Sequence, residues 1–182
     1  MSNQRQLRPS DEVDERHLEL ARAAGDDYRE AVQHMIEDVA HTGDTRTVGD
    51  YLVGFAQEEA EGMYRMDGGD LTWEDPAEGE NCHLEVVVAS AADGRFLPEV
   101  TVHATIEEAD GETVADTDVP FLWHPGLYHY GQNLELPGDG TYSITVEADA
   151  PTFPRHDEEN GDRFADPVEV TFEDVEIATG RD

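Results

Sequence analysis

Less polar residues recur at intervals of three and four through the N-terminal segment: Val13, His17, Ala21, Ala24, Tyr28, Val32, Met35 and Val39. That spacing predicts helix over residues 10–41. Ser10 is placed to cap it, and Asp11 and Glu12 follow in the first turn, where carboxylates suit the helix dipole. Gly25, followed by two aspartates, allows a division into two helices, and Thr42-Gly43-Asp44 closes the segment. After Arg46 the period changes to two. Residues 51–57 read as a strand, or as a short helix reaching Ala60. Residues 62–73 read as a hairpin turning on Asp67-Gly68-Gly69-Asp70. Strands are further predicted over 83–89, 100–106, 119–123, 127–136, 142–148 and 168–177, punctuated by Gly and Pro turns. The pattern is mainly β: an immunoglobulin-like β-sandwich of about seven to nine strands with an N-terminal helical segment. Residues 1–46 form the helical extension and 47–182 the sandwich.

Strand parity sorts the side chains of Cys82-His83-Leu84-Glu85-Val86-Val87-Val88. Cys82, Leu84, Val86 and Val88 share one face, the natural core side. His83 and Glu85 share the other, about 7 Å apart along the strand. Such a pair can hold one ion between them or stand solvated. A cysteine on the core face has neither the exposure nor the electropositive setting of a nucleophile. His17, His34 and His41 fall on the helical stretch and read as surface or structural residues. His103 alternates with Val102 and Ala104 and faces outward. His124, His129 and His156 sit in two aromatic-rich segments, 121–133 and 153–164, of the kind that orients imidazole rings around a metal. The competing reading makes the aromatics core and the histidines hydrogen-bonding fillers.

Composition changes the picture in one respect. The 182 residues carry 44 acidic and 11 basic side chains, a net charge of −33, and every basic residue is arginine. Nothing here neutralises a run of phosphates, which excludes ordinary nucleic-acid binding. Docking on an anionic membrane surface is excluded on the same ground. No apolar run reaches transmembrane length, so direct membrane insertion is not expected. The acids are scattered among strand-like runs, as on the carboxylate-rich surface of a folded halophilic protein. The polar N-terminus shows no apolar leader and predicts a cytoplasmic location. No phosphate-cradling glycine loop, His-Glu-x-x-His or Gly-x-Ser-x-Gly pattern occurs.

Three segments, His83-Leu84-Glu85, His129-Tyr130-Gly131 and Arg155-His156-Asp157 followed by Gly161, Phe164 and Pro167, occur in an order and spacing that resemble one family. They are similar to the periplasmic ferrous-iron-transport accessory proteins, small copper- and iron-binding dimers that work beside a high-affinity iron permease. The resemblance spans residues 48–177. It implies an immunoglobulin-like sandwich with a metal site built from separate strands and loops. Glu85, His129 and His156 match the family's ligands, and His83 matches a histidine at the same or an adjacent site. Leu122 stands where the family carries a methionine seven residues before the His-Tyr-Gly histidine, and His124 is the nearby substitute. Loss of that thioether moves the preference from cuprous copper toward Cu(II) or Zn(II).

The resulting expectation is a non-enzymatic metal-binding protein that holds copper, iron or zinc through imidazoles and Glu85 for buffering or delivery. A homodimer and a membrane permease partner follow from the resemblance. The alternative is a binding or scaffolding sandwich with structural histidines and no metal. A copper-dependent oxidoreductase is a third class, but nothing in the sequence demands it.

Overall fold

The computed structural model describes residues 5–180. Helix α1 (Glu15–His34) starts where Asp14 Oδ1 accepts from the His17 backbone N–H at 2.8 Å, and a wide π-type turn (Met35–Val39) ends it. Ser10 caps the turn before the helix, accepting from Glu12 N and Val13 N. Gly25 does not divide the helix. It is buried where α1 crosses the loop after residue 90, and a Cβ there would run into the Asp93 carbonyl oxygen. The glycine serves close approach of two backbones, which a helical period cannot reveal.

The strands are β1 (Thr42–Val48), β2 (Tyr51–Glu58), β3 (Met63–Asp67), β4 (Asp70–Glu74), β5 (Cys82–Ser90), β6 (Val102–Glu108), β7 (Thr113–Asp118), β8 (Phe121–Leu122), β9 (His129–Leu134), β10 (Gly140–Ala148) and β11 (Val168–Ile177). One sheet runs β1-β2-β5-β9-β8 and the other β11-β10-β6-β7, with β3-β4 a separate hairpin. The two sheets close a β-sandwich over one core. Leu84, Val86 and Phe55 from the first face Ile106, Ile144 and Phe172 from the second, and the Phe55 and Phe172 rings meet edge-on at 4.7 Å.

Two strands escaped the sequence pattern. Thr42–Arg46, expected to end the helical extension, pairs with β2 from Thr42↔Gln57 onward as sheet edge β1. The β7 sequence Thr-Val-Ala-Asp-Thr-Asp is a polar edge strand with no apolar face to announce it. The β3–β4 hairpin turns on Gly68 and Gly69, both at positive φ, as the Asp-Gly-Gly-Asp segment predicts.

The parity of β5 follows the sequence, but its exposure does not. Cys82, Leu84, Val86 and Val88 enter the core, and His83, Glu85, Val87 and Ala89 face outward, yet all nine residues of the strand are buried. The outer face is roofed. Val32 and Met35 of the helical segment pack on Val87, Ala89 and Ala56, with Leu127 of the β8–β9 loop alongside. The helical stripe therefore buries the sheet face that also carries His83 and Glu85.

Candidate metal centre

Strand register assembles the site. Glu85 lies opposite Gly131 and His83 opposite Asn133 across the β5–β9 ladder, so His129, Gly131 and Asn133 share the outer face with His83 and Glu85. Donor atoms of His83, Glu85 and His129 all lie within 4.8 Å of one another, and all three residues are buried. His129 Nε2 stands 3.3 Å from Glu85 Oε1. Two ligand atoms of a tetrahedral ion with bonds near 2.0–2.1 Å lie about 3.4 Å apart, so this edge already fits.

Hydrogen bonds fix which nitrogen each imidazole presents. Asn133 is clamped by the Glu61 backbone: its Oδ1 accepts from Glu61 N at 3.2 Å and its Nδ2 donates to Glu61 O at 2.8 Å. With the amide so oriented, Oδ1 accepts from His83 Nδ1–H at 2.8 Å, and Nε2 keeps the lone pair. His129 Nδ1–H points to Leu127 O at 3.4 Å, again leaving Nε2 as the donor toward a ligand. Among the described residues, His129 Nε2 and Glu85 Oε2 are buried without a hydrogen-bond partner. Buried polar atoms are almost always satisfied, and an unsatisfied imidazole nitrogen on one side chain beside an unsatisfied carboxylate oxygen on its neighbour is an arrangement an ion can complete.

Burial dominates the electrostatics. It pushes the Glu85 carboxyl up to about 8, with Glu58 and Glu61 adding to the shift. It holds His129 down at about 4, with His83 contributing, and lowers His83 as well. Glu58, opposite His83 on β2, is raised by burial and by Glu61. Both site imidazoles are thus neutral at pH 7, the form that binds metal.

The other expected ligands divide. His124 lies at the exposed mouth, its ring 5.9 Å from that of His129 and its Nδ1 accepting from Gly126 N. Leu122 pairs with His129 across β8–β9 and covers Gly131, so an aliphatic side chain lies against the site. His156 does not join the group. Its side chain is 90% exposed and pairs with Glu12 at 3.3 Å. The reason is local: Asp157 accepts from Glu159 N, Asn160 N and Ser10 Oγ, which winds the loop against the N-terminal segment and turns His156 outward. Cys82 faces the core, its thiol pushed up to about 12 by burial. Asn133 was not singled out from the sequence. Its position two residues beyond Gly131, on the parity of His129, is the signal, but only the register shows that it meets His83.

A family profile described as Fe2+ transport protein matches residues 42–178. UPF0423 proteins of Brucella abortus, Brucella suis and Brucella melitensis are 30% identical over 139 residues, covering 68% of this chain and 70% of each relative. Among solved structures, FetP of uropathogenic Escherichia coli superposes with a TM-score of 0.62 at 22% identity, over 76% of this chain and 95% of that one. Copper-reconstituted P19 of Campylobacter jejuni gives 0.63 at 21%, over 77% and 96%. These structures share the fold. The cytoplasmic location expected from the polar N-terminus does not stand: the similar FetP was expressed in the periplasm.

Proposed function

We propose, for a chain that belongs to the Fe2+ transport protein family, that His83, Glu85 and His129 together bind a divalent transition metal ion, with His124 at the mouth of the site. One observation carries this reading: among the described residues Glu85 Oε2 and His129 Nε2 are buried without a hydrogen-bond partner, on two members of one compact donor group. Two neutral imidazoles and a carboxylate suit Cu(II), Fe(II) or Zn(II). With Leu122 against the site in place of a thioether, cuprous copper is the disfavoured form. Campylobacter P19 supports the idea that an aliphatic side chain is compatible with copper, since a methionine-to-isoleucine variant of that protein is copper-bound. A copper-bound glutamine variant of a glutamate in the same protein shows that a carboxylate can be lost while copper stays.

The bound ion is cargo: the protein holds, buffers or delivers it without turning over a substrate. Delivery to a membrane permease and function as a homodimer extend the same reading. Among the described residues no helix is long and apolar enough to cross a membrane. The test is calorimetric titration of tag-free protein with Cu(II), Zn(II) and anaerobic Fe(II), repeated on His129→Ala and Glu85→Gln. One equivalent bound by the parent, and at least tenfold weaker binding by His129→Ala, is expected. Unchanged affinity in His129→Ala would leave a sandwich with structural histidines.

A further inference from the structure

We propose that Tyr28 is a positioning residue for the metal site: by bonding the Tyr128 carbonyl, it lets helix α1 hold the 123–128 loop and, through that loop, the tautomer and place of His129. The proposal rests on the reading of His83, Glu85 and His129 as a metal site. Tyr28 lies outside the segment matched by the family, 42–178, so this strap is an addition of this chain to the matched sandwich.

The 123–128 loop needs such a hold. It carries His124 and runs directly into His129, yet Trp123 is 69% and Tyr128 49% exposed. Exposed loops with few packed contacts open at low cost. Two of its contacts lead to the helical segment, beside ring contacts of Tyr128 with Phe96 and Phe121. Leu127 packs against the cluster that Val32 and Met35 form with Ala56, Val87 and Ala89. The Tyr28 hydroxyl donates to Tyr128 O. The Tyr28 ring also tilts against Phe96 at 5.9 Å, and Phe96 in turn meets the Tyr128 ring at 6.2 Å.

What the loop controls is the His129 imidazole. Among the described residues its Nδ1–H reaches one acceptor, Leu127 O, at 3.4 Å. That bond is near the limit of useful length, so a small displacement of the neighbouring carbonyl removes it. The two neutral tautomers then become comparable, and the Nε2 lone pair is no longer reserved for the ion. Glu85, 3.3 Å from Nε2, would face an N–H in part of the population. Tyr28 thus acts on the metal ligand indirectly, through the Tyr128 carbonyl it holds and the adjacent Leu127 carbonyl that His129 bonds, beyond the outer partners that usually orient ligating histidines.

The experiment uses the full chain and two variants. Tyr28→Phe removes the hydroxyl and keeps the ring. Tyr51→Phe is the matched control, since it also removes a tyrosine hydroxyl bonded to a backbone carbonyl, that of Asp166 at 2.9 Å. Imidazole 15N–13C NMR of the metal-free protein reads the His129 tautomer, and chelator competition with EPR reads Cu(II) release and geometry. The parent and Tyr51→Phe should show His129 as the Nδ1–H form. Tyr28→Phe should show a mixture, a Cu(II) dissociation rate raised about tenfold and altered copper hyperfine splitting. An unchanged tautomer in Tyr28→Phe, or the same change in Tyr51→Phe, overturns the strap. If the parent takes up no Cu(II), the metal reading fails by itself, and the tautomer measurement still decides the role of Tyr28.

Discussion

Gly131 makes room for His83. A Cβ at residue 131 would come within 3.1 Å of His83 Nε2 and 2.5 Å of Leu122 Cδ1. The glycine of the His-Tyr-Gly segment is therefore a packing requirement of the site, since the backbone must pass under the imidazole and the leucine that covers it. Tyr130 between them points the other way, donating to Leu97 O at 2.8 Å inside the core and accepting from Val100 N. One dipeptide thus anchors β9 and clears the site. Gly131→Ala should cost about 1–3 kcal/mol by overpacking and displace His83 Nε2, weakening Zn(II) and Cu(II) binding. Titration and thermal melts on the same preparation check both effects. Parent-like affinity would show that His83 does not need its present position.

Asn133 sets the His83 tautomer, and its own orientation is set by the Glu61 backbone. Asn133→Ala removes the acceptor for His83 Nδ1–H and leaves Glu61 N without its partner. Loss of such an outer partner lowers metal affinity by roughly 10- to 100-fold. Competition against a chelator of known affinity measures the change. The same affinity in parent and variant would place His83 outside the metal shell.

How far the sequence revealed this site depends on what each part rests on. Parity put His83 and Glu85 on one face of β5, because a two-residue period is a local property of the chain. Their burial was not legible, since it depends on Val32 and Met35, some fifty residues earlier, roofing the outer face. The convergence of His129 with Glu85 required the register Glu85↔Gly131, which no local pattern encodes. His156 looked equivalent to His129 in its aromatic setting and in its family match. It separated only because Asp157 winds its loop toward Ser10. The sandwich class was plain from alternation and turns, whereas β7 was hidden by its polar edge character.

The charge of −33 makes a prediction about the whole molecule. Arg46 pairs with Asp44, Arg95 with Asp93 and Arg163 with Asp50, but 11 arginines cannot answer 44 acids. The remaining carboxylates repel one another across the surface. The screening length falls from about 10 Å at 0.1 M salt to about 3 Å at 1 M. The melting temperature should therefore rise steeply with KCl from 0.1 M upward at neutral pH. A melting temperature that is flat from 0.1 to 3 M would remove the halophile reading.

Glu85 gives a pH signature that the metal should reverse. In the metal-free fold its carboxyl titrates at about 8, against 4.5 in an open chain, mainly because burial penalises the charge. Between those values the folded state holds the proton and the unfolded state has released it. Stability contributed by this group is complete below about pH 4.5 and is lost as pH rises through 8, at no more than about 1.4 kcal/mol per pH unit. His129, held down at about 4 from 6.5, works in the opposite sense, since the unfolded state takes up the proton first as pH falls. Its term is shared by parent and Glu85→Gln, so the difference between their stabilities isolates the carboxyl. That difference, measured by urea unfolding in chelator, should fall from pH 5 to 8 and level above it. Glu85 can ligate an ion only as the deprotonated carboxylate, so uptake at pH 6.5 should release about one proton in the parent and none in Glu85→Gln. Calorimetry in two buffers of different ionisation enthalpy counts that proton. Equal proton release from both proteins would mean that Glu85 is not a ligand, and a flat stability difference would mean that its carboxyl is already ionised in the fold.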